Sequence, residues 1–439
     1  MFSTSTKIAF IFIFLFLLFS GVQDVFICSF LALVFTCIFK VLWKILWAAY
    51  TLIFANKDGE THETRRSSPW SFAEEHGETQ ETWRTSQWSF SDKHGETQET
   101  WRGSPWSLTS TADFNSWYER EIVGSNFGYG IQDFREECGR AVDKVVRILH
   151  QRMHLNVKEV IKGGSVGKGT MLKRKSDIDC VVMINSPDLP YLQNVSDMSV
   201  YVQRDLAKAN RNIEQAIKDH ATVVSTKVNK FMVTATLNES GVYAEVDIIP
   251  TADNLAAEGK PQIYESMLCR SSYEREFYSV SLVKLQRDFI KTKPGVVKEL
   301  TRLVKYWNKQ TVGSVLKGTW PLPSSYPMEL ITILAWERAG SPIAFDRLQG
   351  FKAVLSIIAT EKSTLNRHWT CNYDESMVQR ALRVMDSGSK QSPFILDPAN
   401  PTNNVCARFH STWNDVVGVA RQTLRSNLLS QVRVNARWN

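Results

Sequence analysis

The stretch "IKGGSVGKGTMLKRKSDIDCVVMIN", residues 161–185, decides how this chain is read. Gly163 and Gly164 make a turn whose backbone can approach a bound group closely. A basic run leads to Asp177-Ile178-Asp179, and the chain then becomes apolar, as a strand does on entering a core. Alternate residues of a strand share a face, so Asp177 and Asp179 stand side by side at its mouth. A third acid, Asp247 in "YAEVDIIPT" (243–251), ends another predicted strand. If the two strands pair, three carboxylates converge and repel one another unless a cation lies among them. Oxygen-only ligands of this kind suit Mg²⁺ or Mn²⁺. Two such ions can clamp the attacking and leaving oxygens of a phosphoryl transfer. The exposed amides of the turn and the Ser165 hydroxyl could then hold a triphosphate, although the spacing is not that of a Walker A loop. Glu245 shares Asp247's face by alternation and reads as a solvated or structural acid.

Around this stretch lies a chain of 439 residues, long enough for two or three domains with a substantial core. The net charge of +7 is uneven. Residues 1–56 carry +2 and residues 57–108 carry −4, which leaves +9 on the remainder and suits a polyanionic partner. Seven scattered cysteines with no C-x-x-C spacing exclude a disulfide framework and a structural zinc pattern, and point to a reducing compartment.

Residues 1–56 read as a membrane anchor. The apolar runs over 8–55 are interrupted by Asp24, Lys40 and Lys44, and three arrangements compete: a hairpin of two spanning helices, one span near 25–45, or a cleaved signal followed by an anchor. Residues 57–109 read as a polar, disordered linker. Within it "SSPWSFAEEHGETQETWR" is followed by "TSQWSFSDKHGETQETWR" and "GSPWSL", so Trp70, Trp88 and Trp106 recur every 18 residues. Aliphatic side chains are nearly missing, and such a segment cannot bury a core of its own.

From residue 110 the pattern is globular. Residues 131–155 have apolar positions at helical spacing, 179–185 and 242–249 read as strands, and 228–249 as a hairpin turned at "NESG". After residue 275 the pattern is mostly helical. The fold class expected is α+β in two lobes, with a catalytic lobe over 110–280 and a helical lobe over 281–439.

"GGSVGKGTMLKRKSDIDCVVM" resembles the nucleotidyltransferase segment of the 2′-5′-oligoadenylate synthetases. "LQRDFIK", "LTRLVKYWNKQ", "LPSSYPMELITILAWE", "GFKAVL" and "FILDPANPTNNV" resemble later segments of that family in the same order, so the likeness covers roughly residues 112–430. The last of these favours this branch over cyclic GMP-AMP synthase, whose zinc insert has no counterpart in the cysteine and histidine pattern. The resemblance implies a bilobal polymerase-β-like fold. It implies that Asp177, Asp179 and Asp247 hold two Mg²⁺ ions, with Asp247 near the acceptor 2′-hydroxyl. It also implies that Gly164 and Ser165 grip the donor triphosphate, that Arg302 and Lys305 neutralise phosphates, and that Tyr326 stacks on a base. ATP is the implied substrate and double-stranded RNA the implied activator.

Lys298, Arg302, Lys305 and Lys309 lie at spacings of four, three and four on one predicted helix, a stripe that an ordinary solvated face could also show. Arg287 and Lys291 form a second pair. With Lys162 they match family positions that contact duplex RNA, through phosphates and 2′-hydroxyls rather than base edges. The sequence departs from the family at Ser325, where a nucleotide-selecting glutamine is usual, and at Gly295, where a threonine touches RNA. Four functions are therefore weighed: an RNA-activated, membrane-tethered synthetase facing the cytosol, a cyclic-dinucleotide-forming receptor on the same fold, an RNA-binding pseudoenzyme, and an RNA-independent synthetase.

Overall fold

The computed structural model describes residues 104–123, 131–172, 178–190, 199–239, 242–360 and 362–438. The centre is a five-stranded sheet in the order β1-β2-β5-β4-β3, preceded in the chain by helices α1 (Thr111–Tyr118) and α2 (Ile131–Arg152). Strand β1 spans Val157–Lys162 and is followed by a short helix α3, Gly164–Lys168. Strand β2 is Ile178–Ile184, helix α4 Ser199–Ile217, and β3, β4 and β5 are Val223–Val228, Val233–Glu239 and Val242–Thr251. Strands β2 and β5 run parallel, and the other neighbours are antiparallel.

β2, "IDCVVMI", is buried along its whole length, as befits a nearly unbroken apolar run with both faces covered. Ile178, Cys180, Val182 and Ile184 join a core made with α2 (Val142, Val145, Leu149) and α4 (Leu206, Ala209, Ile213). Val181 and Met183 point to the opposite face and pack with Ile161, Met232, Ile249, Val280 and Val283. By the same alternation Asp179 and Asp247 belong to this second face, away from α2 and α4.

The remaining chain is mostly helical: α5 (Asn254–Glu258), α6 (Lys260–Leu268), α7 (Ser272–Ser281), α8 (Val283–Lys291) and α9 (Gly295–Tyr306). After a π-helical stretch at Trp307–Val312 come α10 (Ser325–Arg338) and α11 (Arg347–Ala359). A small sheet of β6 (Asn366–Arg367), β7 (Phe394–Asp397) and β8 (Asn400–Asn404) follows, with α12 (Glu375–Val384) between its strands and α13 (Trp413–Leu424) after it. Helices α9, α10, α11 and α13 enclose a second core around Leu300, Trp307, Leu334, Phe351 and Trp413. Two large hydrophobic cores are present, one against the sheet and one among the helices, and residue 280 does not divide the chain cleanly between them. Phe114 and Tyr118 of α1 belong to the helical core, whereas Tyr373, Val378, Phe394 and Leu396 pack with the sheet lobe.

Trp106 also belongs to the helical core, so the polar linker does not extend to residue 109. Its indole is fully buried, donates from Nε1 to Thr311 Oγ1 at 2.9 Å and stacks on Phe351 with ring centroids 4.8 Å apart. One aromatic ring buries as much apolar surface as two aliphatic side chains, which composition averaged over the repeat conceals. Trp70, Trp88 and the apolar runs over 8–55 lie outside the described residues. Among the described residues no helix is long and apolar enough to cross a membrane.

Candidate active site

Strand pairing places the acids. Asp179 on β2 and Asp247 on β5 are direct register partners across parallel strands, with 8% and 7% of their surfaces exposed. Thr234, opposite Asp247 on β4, donates its hydroxyl to Asp247 Oδ1 at 2.6 Å and so fixes the carboxylate's orientation. Asp177 lies outside the described residues. Among the described residues no group of three or more His, Cys, Asp or Glu side chains could hold a metal ion. Glu245 is exposed, in keeping with a solvated acid.

The glycine turn is tied to the same strand. The Gly163 amide donates to the Asp179 carbonyl at 2.7 Å. Gly164 and Gly169 have φ of +52° and +78°, which non-glycine residues seldom adopt. Gly167 is required for space, since a Cβ there would lie 2.2 Å from the Lys162 carbonyl oxygen. The Ser165 carbonyl accepts from the amides of Gly169 and Thr170, both at 3.0 Å, and closes α3.

Behind the turn is a cluster that sequence spacing does not show. Glu329 on α10 is 1% exposed and takes Lys168 Nζ at 3.0 Å, the Thr170 hydroxyl at 2.6 Å and Lys305 Nζ at 3.3 Å. Lys305 also donates to the Thr170 carbonyl, and Arg302 donates to the Gly169 carbonyl at 3.0 Å. Burial alone would raise the Glu329 pKa, but two ammonium groups and the Thr170 hydroxyl hold it below the ordinary range. Burial lowers the Lys305 pKa against the attraction of Glu329. The helical stripe is thus divided: Lys305 is buried and Arg302 turns to the glycine turn, so this is not an ordinary solvated face.

Tyr326, near the start of α10, lies beside this cluster. Its ring is 4.1 Å from Lys168 Nζ, and its hydroxyl donates to Asp397 Oδ1 at 3.0 Å. The basic residues matched to RNA contacts gather around the outer side of the turn. Lys162 pairs with Asp143 at 2.8 Å and Arg287 with Asp288 at 2.8 Å, while the Arg287 Cδ comes within 3.2 Å of the Cβ position at Gly167. Lys291 lies one turn further along α8 and is exposed. Lys168, Thr170, Glu329 and Asp397 escape a reading by spacing. A lone acid inside the apolar run "MELITILAW" is the one signal that a buried pair was to be found.

A family model described as 2′-5′-oligoadenylate synthetase 1, domain 2, C-terminus, matches residues 257–439, and a nucleotidyltransferase domain model matches residues 142–239. Over 310 residues the chain is 31% identical to 2′-5′-oligoadenylate synthase 1A of Rattus norvegicus, an alignment covering 66% of this chain and 85% of the relative. The chain belongs to the 2′-5′-oligoadenylate synthetase family. Its nucleotidyltransferase match covers β1 to β4, and the C-terminal family match takes in the helices that carry Arg302, Lys305 and Glu329. Mus musculus 2′-5′-oligoadenylate synthase 2 is 30% identical over 314 residues, but the chain spans only 41% of that relative's length. The family also includes a Rattus norvegicus relative named inactive 2′-5′-oligoadenylate synthase 1B, 32% identical with 66% of this chain and 80% of the relative aligned.

Proposed function

We propose that this chain is a nucleotidyltransferase that joins ATP into 2′-5′-linked oligoadenylates and that double-stranded RNA activates it. One observation carries the reading: Asp179 and Asp247 stand in register on adjacent parallel strands, and the Gly163 amide ties the glycine turn to the Asp179 backbone. Membership of the synthetase family supports the same chemistry. Two nearly buried carboxylates offering oxygen alone fit a hard divalent cation better than a softer metal. Asp177, Asp179 and Asp247 would accordingly hold two Mg²⁺ ions, with Mn²⁺ as a substitute. Ions bound there would help the acceptor hydroxyl ionise and stabilise charge on the leaving pyrophosphate.

The chain's own groups supply the rest. Thr234 holds Asp247 in one orientation, so its carboxylate would meet an acceptor 2′-hydroxyl without reorganisation. Gly164 and Ser165 would grip the donor triphosphate. Arg302, Lys168 and Lys305 outnumber Glu329, and this excess positive charge behind the turn favours a polyanion. Tyr326 would stack on a base. A bond forms between the 2′-oxygen and the α-phosphorus, and the bond from that phosphorus to pyrophosphate breaks. Lys162, Arg287 and Lys291 would meet duplex phosphates and 2′-hydroxyls on the outer side of the turn. The same reading tethers the chain to a membrane through residues 8–55, with the catalytic body in the cytosol, where ATP and reducing conditions coincide.

A second reading, synthesis of a cyclic dinucleotide, draws on Ser325, which stands beside Tyr326 where the family has glutamine. The deciding experiment incubates the full chain with Mg²⁺ and ATP, alone or with GTP, with and without double-stranded RNA, and digests the products with linkage-specific nucleases. RNA-dependent 2′-5′ chains are expected. Cyclic products would move the chain to the second reading, and no product under any duplex would make it a pseudoenzyme.

A further inference from the structure

Asp397 is a carboxylate with no exposed surface, set at the end of β7 in "LDPANPTNN". Its Oδ1 accepts from the Tyr326 hydroxyl at 3.0 Å and from the Ala399 amide at 2.8 Å. Its Oδ2 accepts from Gln286 Nε2 and from Asn403 Nδ2, the latter at 3.4 Å. All four donors are neutral. A buried carboxylate without a cation beside it costs several kcal/mol of desolvation, which neutral hydrogen bonds offset only in part. A neutral side chain could close the β7–β8 turn at a lower cost in stability. What a carboxylate adds is two fully open acceptor oxygens, which serve donors from three separate parts of the fold: α8 (Gln286), α10 (Tyr326) and the β7–β8 hairpin (Ala399, Asn403).

We infer that Asp397 is a positioning residue for the nucleotide, acting through the Tyr326 hydroxyl to hold the aromatic ring at the angle at which a base stacks. The inference rests on the reading of Tyr326 as a base-stacking residue. Lys168 fixes the ring from the glycine-turn side at 4.1 Å, so hydroxyl and face are both held and little rotation remains. A ring fixed before the nucleotide arrives binds it without the cost of ordering a side chain. The hairpin carrying Asp397 is itself braced from the sheet lobe, because Tyr373 donates to the Asp397 carbonyl at 2.7 Å and Tyr264 to the Ala399 carbonyl at 2.9 Å. Asn400 of the same hairpin donates to Ser279 Oγ on α7. The angle of the ring is thereby referred to the lobe that carries the carboxylates.

The test uses the full chain and four forms: wild type, Tyr326→Phe, Asp397→Asn and the double variant. Tyr326→Phe keeps the ring and removes only the hydroxyl. Asp397→Asn turns one acceptor into a donor facing two donors. Loss of a hydrogen bond to a charged group predicts a rise of about tenfold in the KM for ATP in either single variant, with kcat within about threefold of wild type. The double variant should be no worse than the more affected single one, because both remove the same contact. A purely structural Asp397 would instead lower the melting temperature and the active fraction at an unchanged KM, and that result in Asp397→Asn overturns the inference. So does a wild-type KM in Tyr326→Phe, a form that folds without disturbing the other three donors. If the wild type makes no product, the catalytic reading fails separately. ATP affinity of the same four forms, measured by equilibrium dialysis, then decides this inference: equal affinities reject it and a tenfold loss supports it.

Discussion

Glu329 shows how one side chain can hold a site together. Among the described residues it pairs with both Lys168 and Lys305, and all three side chains are largely out of water. Glu329→Gln leaves two buried ammonium groups without it, which costs about 3 kcal/mol; urea unfolding of the full chain would read this as a lower midpoint at an unchanged slope. The pH dependence has a definite sign. The folded Glu329 pKa lies below its unfolded value, so its stabilisation is complete above about pH 4.3 and is lost as pH falls through the folded value. Glu329→Gln should therefore flatten the acid limb of the stability curve. Asp397 acts in the opposite sense, because burial raises its pKa: its contribution is greatest in acid and declines as pH rises from the unfolded value through the folded one. Residues of this kind are the least legible in sequence. Lys168 and Glu329 are 161 positions apart, and Tyr326 and Asp397 are 71 apart, and no periodicity links them.

At the scale of elements, sequence carried further. The apolar run after Asp179 and the alternation around Asp247 were enough to predict two strands, and the fold pairs them in parallel with the two acids in register. The turn before β2 makes a sharper claim about its glycines. Gly167 faces the Lys162 carbonyl, which is backbone and cannot move aside, whereas a Cβ at Gly163 would meet Asp179 Cβ at an ordinary 3.4 Å. Gly167→Ala should cost 2 kcal/mol or more, at the level of an overpacked core, and Gly163→Ala less than about 1 kcal/mol. Thermal unfolding of the two variants side by side checks the order, and equal losses would contradict the geometry. What sequence did not reveal was the helix stripe's division. Spacing puts Lys298, Arg302, Lys305 and Lys309 on one line, but whether that line faces water depends on α10 and on the glycine turn, both distant in the chain.

At the scale of the molecule, two segments pack away from their neighbours in sequence. Alternation and helical spacing pointed to a sheet part and a helical part, but not to α1 packing in the helical core, nor to β7 dividing between the two, with Phe394 and Leu396 in the sheet core and Ile395 in the helical one. Such docking is decided by shape complementarity between remote segments, to which local pattern is blind. Trp106→Ala should cost about 3–5 kcal/mol, as for other buried aromatics, and a fragment beginning at residue 110 should unfold at a lower denaturant concentration than one beginning at residue 100. The basic outer side of the turn carries its own acids, Asp143 and Asp288, so under the proposed activation by RNA a duplex would compete with them for Lys162 and Arg287. Asp143→Asn should tighten RNA binding, while Lys291→Ala should lower the dependence of log affinity on log salt by about one. Fluorescence titration across salt concentrations measures both.

The burial of Trp106 also decides how a pull on the chain is felt. Among the described residues, load applied from the amino-terminal side is met first at this indole, in the core of the helical lobe, and not at the strands that bear Asp179 and Asp247. The third copy of the repeat is therefore moored by its tryptophan, and a change at that residue is felt in the helical core before it is felt at the carboxylates.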